Sequence, residues 1–528
     1  MVQPGSSHDD GYSIFLLVPA RVGYHHGAPL SCRIRSHEKT LIVSIAASIT
    51  ITLVVVVSIL GFVASRWGSA NLLSFDEWAL GGRRFGTVVS WFLLGGDLYT
   101  AYTFLAVPAL VYGAGAFGFF AVPYATIAYP LVFLFLTRFW TLARERGYLT
   151  IADFARDIFG NRVLELCVAL TGVFAALPYI ALQLLGIRSV FERLGPPFSH
   201  AGSTTSLIVA FALLAAYTYS SGLRAPALIA FVKDTLIYVT VIAAIIVIPH
   251  ALGGWSAIFA HAAPIYAARK TPGHILLPPG LSFGYATFAL GSALSLFLYP
   301  HSVTSLLAAR SADVVKRNAV LLPLYSLLLG FLALLGVCAV AAGIIAKPND
   351  VVPILFERYF PPWFAGVADA AIVVGALVPA AIMAIGAANL FASNILREFS
   401  TTRPEGELRL AKILTIAFCA AALIPALVIH AQYTINFQLV GGAIMVQIVP
   451  MFAAGIFKLH IDPRALVTGW AVGLACTVAM VATNGFTALF VVKVGSFALP
   501  GAVSIYAVAM NIAVVGLVTI FSRKAVTQ

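Results

Sequence analysis

At 528 residues, with 61% hydrophobic and only 10% charged residues, the chain stands far from soluble proteins, which run near about 25% charged. That excludes a water-facing globular enzyme, a disordered protein and a disulfide-stapled secreted domain, and leaves a polytopic membrane protein. The excess of 32 Lys plus Arg over 20 Asp plus Glu, a net +12, requires no nucleic acid, because Lys and Arg gather in cytoplasmic loops that resist translocation. Cys32, Cys167, Cys338, Cys419 and Cys476 stand singly, without disulfide or metal spacing.

In chain order, residues 1–40 read as an amino-terminal arm, disordered or foreign to the natural chain. A helix needs about 20 apolar residues to cross hydrocarbon. Thirteen runs qualify or nearly do: 41–65, 87–113, 114–137, 162–188, 205–222, 227–250, 282–301, 319–344, 366–396, 410–430, 433–457, 465–486 and 500–521. Such long unbroken runs exclude the alternating pattern of a membrane barrel, so the fold class is an all-α polytopic membrane protein. With the amino terminus outside, the inner loops carry 21 Lys and Arg, the outer loops 7 and the arm 4. The positive-inside rule therefore predicts amino terminus out and carboxyl terminus cytoplasmic. The longest stretches between spans, 251–281 and 138–161, are too short for an appended domain. There is no P-loop, HExxH or GxSxG, which argues against an ATP-driven pump.

Polar residues inside spans mark the candidate chemistry. Asp97 is the one acid read as deep in an apolar run, and an acid there is costly enough to suggest function; a helix cap or an interhelical hydrogen bond is the plainer alternative. The Gly95-Gly96 pair before it weakens the helix, predicting a break whose second half begins near Tyr99 and Thr100 and aims free amides at a carboxylate. Lys233 and Asp234 read either as a buried ion pair or as a lysine snorkelling to the interface. Tyr179 and Gln183, four apart, share a helix face and serve either a cavity or ordinary helix packing. Gly291 and Ser292 interrupt the seventh span, five spans after the first break, a spacing that suits an inverted-repeat transporter.

The run Asp76 to Arg84, the run Asp97 to Phe104, the run Tyr217 to Ala225 ahead of Asp234, and Pro300-His301-Ser302-Val303-Thr304 resemble the sodium/solute symporter family. The likeness covers nearly all of 41–525. With Leu177-Pro178-Tyr179 and Gln183, the first two runs look most like its bacterial monocarboxylate permease branch, whose members take up lactate, pyruvate, propionate, acetate and sometimes alanine. The resemblance implies a leucine-transporter-type fold of thirteen helices, with an extra first helix at 41–65 and a transporter core over 66–525. Its two inverted five-helix repeats would span about 87–250 and 282–457. It also implies a symporter in the inner membrane with no enzymatic activity, no cofactor and no obligate protein partner, binding a small monocarboxylate, a cation and the lipid bilayer. The solute would meet Gly96, Tyr99, Thr100, Tyr102, Tyr179, Gln183, Gly291 and Ser292, and Asp97, Lys233 and Asp234 would serve coupling.

One departure bears on the coupling ion. The family's sodium site joins two carbonyls of the broken helix to one carbonyl and two hydroxyls of the ninth span. Here the carbonyl positions Gly95, Leu98 and Ala381 remain, but the hydroxyl positions hold Ala384 and Ile385. A hard cation needs oxygen ligands, so protons are favoured over sodium. A shifted alignment bringing Ser393 or Asn394 into place is the alternative. In related folds a lysine on the fifth repeat helix fills such a site, and Lys233 lies on that helix. Competing readings are a sodium-coupled symporter for proline or pantothenate, a channel or receptor on the same fold, and a membrane-embedded enzyme.

Overall fold

A computed structural model describes residues 31–67, 74–96, 98–194, 200–269, 273–397, 404–428, 434–495 and 497–526. Residues 1–30 of the arm, and Asp97, lie outside the described residues. The first helix, Ser31–Val63, begins ten residues before the 41–65 run, so the arm's last part is helical.

Among the described residues, eleven helices are long and apolar enough to cross a membrane, and a twelfth span counts if the bent pair Pro279–Leu296 and Pro300–Leu307 is taken as one. The expected thirteen are not reached by this measure, because the 87–113 run is divided. It comprises helix Thr87–Ser90, a wide π turn Trp91–Gly95, an interruption, a second π turn Tyr102–Ala106 and helix Val107–Ala114. Two sets of five spans follow the first helix, and the leading member of each is the interrupted one. That pattern suits an inverted-repeat transporter. Non-helical backbone at membrane depth is tolerated only where protein or a cavity satisfies it, and the described residues of both interruptions are buried.

Pro362–Leu396 forms the centre, with its most apolar window wholly buried. Its run of alanines lets neighbouring backbones approach closely. It packs against Ser31–Val63, Arg162–Arg193, Arg224–Ala251, Pro300–Leu307 and Pro404–Val428. The outer surface carries exposed Leu134, Ile246, Ile424 and Phe521, as lipid contact requires.

The all-α expectation holds except at one place. Leu489–Val494 pairs antiparallel with Phe497–Ala502, Leu489 opposite Ala502. Val491 and Val492 favour the strand. The last expected span, 500–521, therefore starts as strand and becomes helix only at Val503. The hairpin is fastened to the seventh span by the Ala502 amide, which donates to Thr287 Oγ1 at 3.0 Å.

Candidate transport site

The first interruption is built around Gly95 and Gly96. A side chain at Gly95 would strike the Tyr325 ring, and one at Gly96 would stand 2.7 Å from Lys233 Nζ; hydrogen atoms at these positions let both neighbours close on the backbone. The helical ladder gives way to three-residue turns, with Leu98 N donating to Gly95 O at 3.0 Å and Tyr99 N to Gly96 O at 3.1 Å. Lys233 comes from the Arg224–Ala251 helix and is fully buried, as is Asp234; it does not snorkel. Its ammonium donates to the Gly96 carbonyl and reaches the Tyr99 carbonyl at 3.4 Å. Asp234 Oδ1 lies 3.0 Å from it, and Asp234 Oδ2 accepts from the Tyr325 hydroxyl at 2.9 Å.

A cationic group thus sits on carbonyls freed by the broken helix. The carbonyls engaged are Gly96 and Tyr99, each one residue beyond the expected Gly95 and Leu98, whose places are taken by turn formation and burial. Ala381, Ala384 and Ile385 are wholly buried on the central helix, and none carries a side-chain oxygen. Ser393 and Asn394 do not replace the missing hydroxyls, because they are bonded to Glu407 and to Thr150, Asp153 and Glu165. We predict that Gly96→Ala, by overpacking worth about 1–3 kcal/mol, lowers uptake about 10-fold or more. Membrane abundance should stay normal, as immunoblots and initial rates would show.

The amides expected to stay free for a carboxylate are taken. Thr100 N donates to Thr103 Oγ1 at 2.9 Å, Ala101 N to Gln183 Oε1 at 2.9 Å and Tyr102 N to Thr100 Oγ1 at 3.0 Å. Side chains cap the second half-helix much as an N-cap residue would. Tyr99 turns its hydroxyl to the Tyr325 carbonyl at 3.0 Å and joins the ammonium's surroundings.

A second cluster lies beside this one. Gln183, holding Ala101, is one turn beyond Tyr179. The Tyr179 ring lies 5.4 Å from Tyr299 and 5.5 Å from His301, and Tyr299 lies 5.3 Å from His301. Tyr102, next to Ala101, packs on Tyr124 at 6.4 Å. Tyr299, His301, Tyr124 and Gln438 were missed by sequence reasoning, although His301 stood in a quoted motif.

Gly291 and Ser292 do not break the seventh span. They lie within the continuous helix Ser282–Leu296, and the 50° bend falls at 297–299, ahead of Pro300. Proline restricts the residue before it to extended backbone, and Tyr299 has ψ 144. Gly291 and Ser292 line a small hollow with Ser295, Gln438, Gly442 and Ser504.

Two more features escaped the sequence. Asp369 is buried within the central helix, a further acid inside a span besides Asp234 of the coupling pair. Asn394, in the π turn Ala392–Leu396, accepts from Thr150 Oγ1 at 2.7 Å. It donates to Asp153 Oδ1 at 2.7 Å and Glu165 Oε1 at 2.9 Å. Thr150 and Asp153 form the capping box of helix Ile151–Phe159, and Glu165 also pairs with Arg156 and Arg162. Nearby, the Tyr148 hydroxyl, aided by Arg146, holds the Asp157 carboxyl below its usual range.

The Sodium:solute symporter family matches residues 78–462. The chain is 45% identical over 473 residues to the "Monocarboxylate transport permease protein" of Rhizobium johnstonii, covering 89% of this chain and 95% of that one. It is 35% identical to the "Uncharacterized symporter YodF" of Bacillus subtilis, over 82% of this chain and 87% of that one. A solved Na+-coupled sialic acid symporter in a substrate-bound outward-open state superposes with a TM-score of 0.71 at 17% identity. The overlap covers 90% of this chain and 96% of that one; at that identity the likeness concerns the fold.

Proposed function

The chain belongs to the sodium:solute symporter family, whose members are secondary transporters rather than enzymes, and from that premise we propose that it imports small monocarboxylates together with protons. Lactate, pyruvate, propionate and acetate, with alanine at the margin, are the solutes. The membrane is the bacterial inner membrane, with the amino terminus outside and the carboxyl terminus cytoplasmic. The Rhizobium relative named as a monocarboxylate permease supports the solute class.

The observation that carries the coupling is the Lys233 ammonium on the Gly96 and Tyr99 carbonyls, opposite a central helix with Ala384 and Ile385 in the hydroxyl positions. A sodium ion there would meet a like charge without the two alcohol ligands. The Lys233–Asp234 pair, buried and 3.0 Å apart, is the carrier. Asp97, beside the same break in sequence, serves the coupling with it. Solute binds on the other side of the break, against Tyr102, Tyr179 and Gln183, with Thr100 supporting the backbone and Gly291 and Ser292 lining the adjoining hollow.

One proton moving with one monocarboxylate carries no net charge, whereas each further cation would add about 2.3 kcal/mol of drive per 100 mV. Proteoliposomes with an alkaline interior and no sodium should therefore accumulate lactate, at a rate insensitive to membrane potential. Uptake that begins only when sodium is added refutes proton coupling. Competition by proline or pantothenate but not by lactate refutes the solute class.

A further inference from the structure

We infer that His301 reads the substituent next to the carboxyl group of the solute, so that the transporter favours 2-hydroxy acids over plain short-chain acids. This deepens the monocarboxylate reading and rests on it.

His301 is 1% exposed, and neither ring nitrogen has a hydrogen-bond partner among the described residues. Buried polar groups are almost always paired, and one left open at the heart of a protein calls for an explanation. Its position supplies one. It is the second residue of Pro300–Leu307, directly after the bend in the second repeat, and its ring is flanked by Tyr179 and Tyr299. Tyr179 belongs to the helix face whose Gln183 caps the first interruption. The ring therefore stands where the two broken spans come nearest in function, and the Lys233–Asp234 pair does not use it.

The backbone that carries the ring is held firmly. On the central helix Gly386 leaves room for the bend, since a Cβ there would come within 2.7 Å of the Pro300 carbonyl carbon and 2.9 Å of His301 N. A fixed backbone makes the ring a positioned group, which a specificity residue has to be.

The chemistry selects the ligand class. A neutral imidazole presents one donor and one acceptor. A carboxylate only accepts, so it satisfies the donor and leaves the acceptor bare. A 2-hydroxyl both donates and accepts, so it can also reach the acceptor nitrogen, which a 2-oxo group, an acceptor only, cannot. Propionate and acetate have neither. A site built to hydrogen-bond such a group rejects the analogue that lacks it far more strongly than an apolar pocket rejects an extra methylene. The Tyr102 hydroxyl and Gln438 Oε1 are also buried without partners among the described residues.

The test compares initial uptake of labelled lactate and propionate in proteoliposomes for wild type, His301→Phe and His301→Asn. Wild type should favour lactate by about 10-fold or more in kcat/KM. His301→Phe keeps an aromatic shape without the polar atoms and should lower lactate uptake about 10-fold more than propionate uptake; His301→Asn, with a donor and an acceptor, should keep part of the preference. Equal loss for both acids in His301→Phe, or a wild type indifferent between them, overturns the inference. If His301→Phe does not reach the membrane, the wild-type preference and the His301→Asn ratio decide by the same criteria. Uptake of neither acid by wild type would instead defeat the underlying monocarboxylate reading.

Discussion

Lys233→Met is expected to abolish concentrative uptake: with an imposed pH gradient, lactate inside proteoliposomes should rise only to its external level. The substitution removes the ammonium that bridges the Gly96 and Tyr99 carbonyls to Asp234. It also leaves Asp234 with the Tyr325 hydroxyl alone. Removing one partner of a buried ion pair costs about 3–5 kcal/mol, because the remaining charge is uncompensated. Melting of the detergent-purified protein should therefore fall in Lys233→Met and in Asp234→Asn, and recover in large part when both are combined. Concentrative uptake should not recover in the double variant, because the proton carrier is gone. That split separates a coupling role from a packing role. Wild-type accumulation by Lys233→Met would remove the pair from the mechanism.

Asn394→Leu is expected to loosen the face of the protein where the central helix ends. Asn394 alone joins the Thr150 hydroxyl, Asp153 and Glu165 to that helix, and each buried polar group left unpaired costs about 1–3 kcal/mol. Asp153 keeps the Leu149 and Thr150 amides, and Glu165 keeps Arg156 and Arg162. The net loss is therefore about 2–4 kcal/mol rather than the sum of three bonds. Between these segments lies a narrow apolar gap lined by Leu149, Ile151, Pro300, Val303 and Leu390. In a cysteine-free background, Leu390→Cys should react with a maleimide about 10-fold faster when Asn394 is Leu, since about 1.4 kcal/mol of bias suffices for a tenfold shift. Equal labelling rates would mean that the Asn394 cluster does not restrain this face.

Much of the site's first half was legible in the chain, for a local reason. Gly95 and Gly96 precede Tyr99 directly, and adjacent glycines in an apolar run announce weak helix wherever they occur. Lys233 and Asp234 were conspicuous because charge inside a span is costly. The second half was not legible. Gly291 and Ser292 drew attention as small residues, yet small residues serve helix packing equally well, and the bend fell instead before Pro300. His301 entered only as part of the Pro300–Thr304 run, and Tyr124 and Gln438 carry no local signal. Asn394 seemed a spare alignment partner for the sodium site until its three bonds placed it elsewhere.

What the sequence determined unaided was the membrane class, the helical spans and the weakness at Gly95-Gly96, because hydrophobic length and glycine spacing act within a few turns of chain. What only the tertiary structure decided was who satisfies whom. Gln183 covers the Ala101 amide, Lys233 covers the Gly96 carbonyl, and no described residue bonds the nitrogens of the His301 ring. Those partners lie 82 and 137 residues apart along the chain, and in a medium without water each buried polar group must find its partner through the packing of whole helices. Short-range pattern carries no information about that.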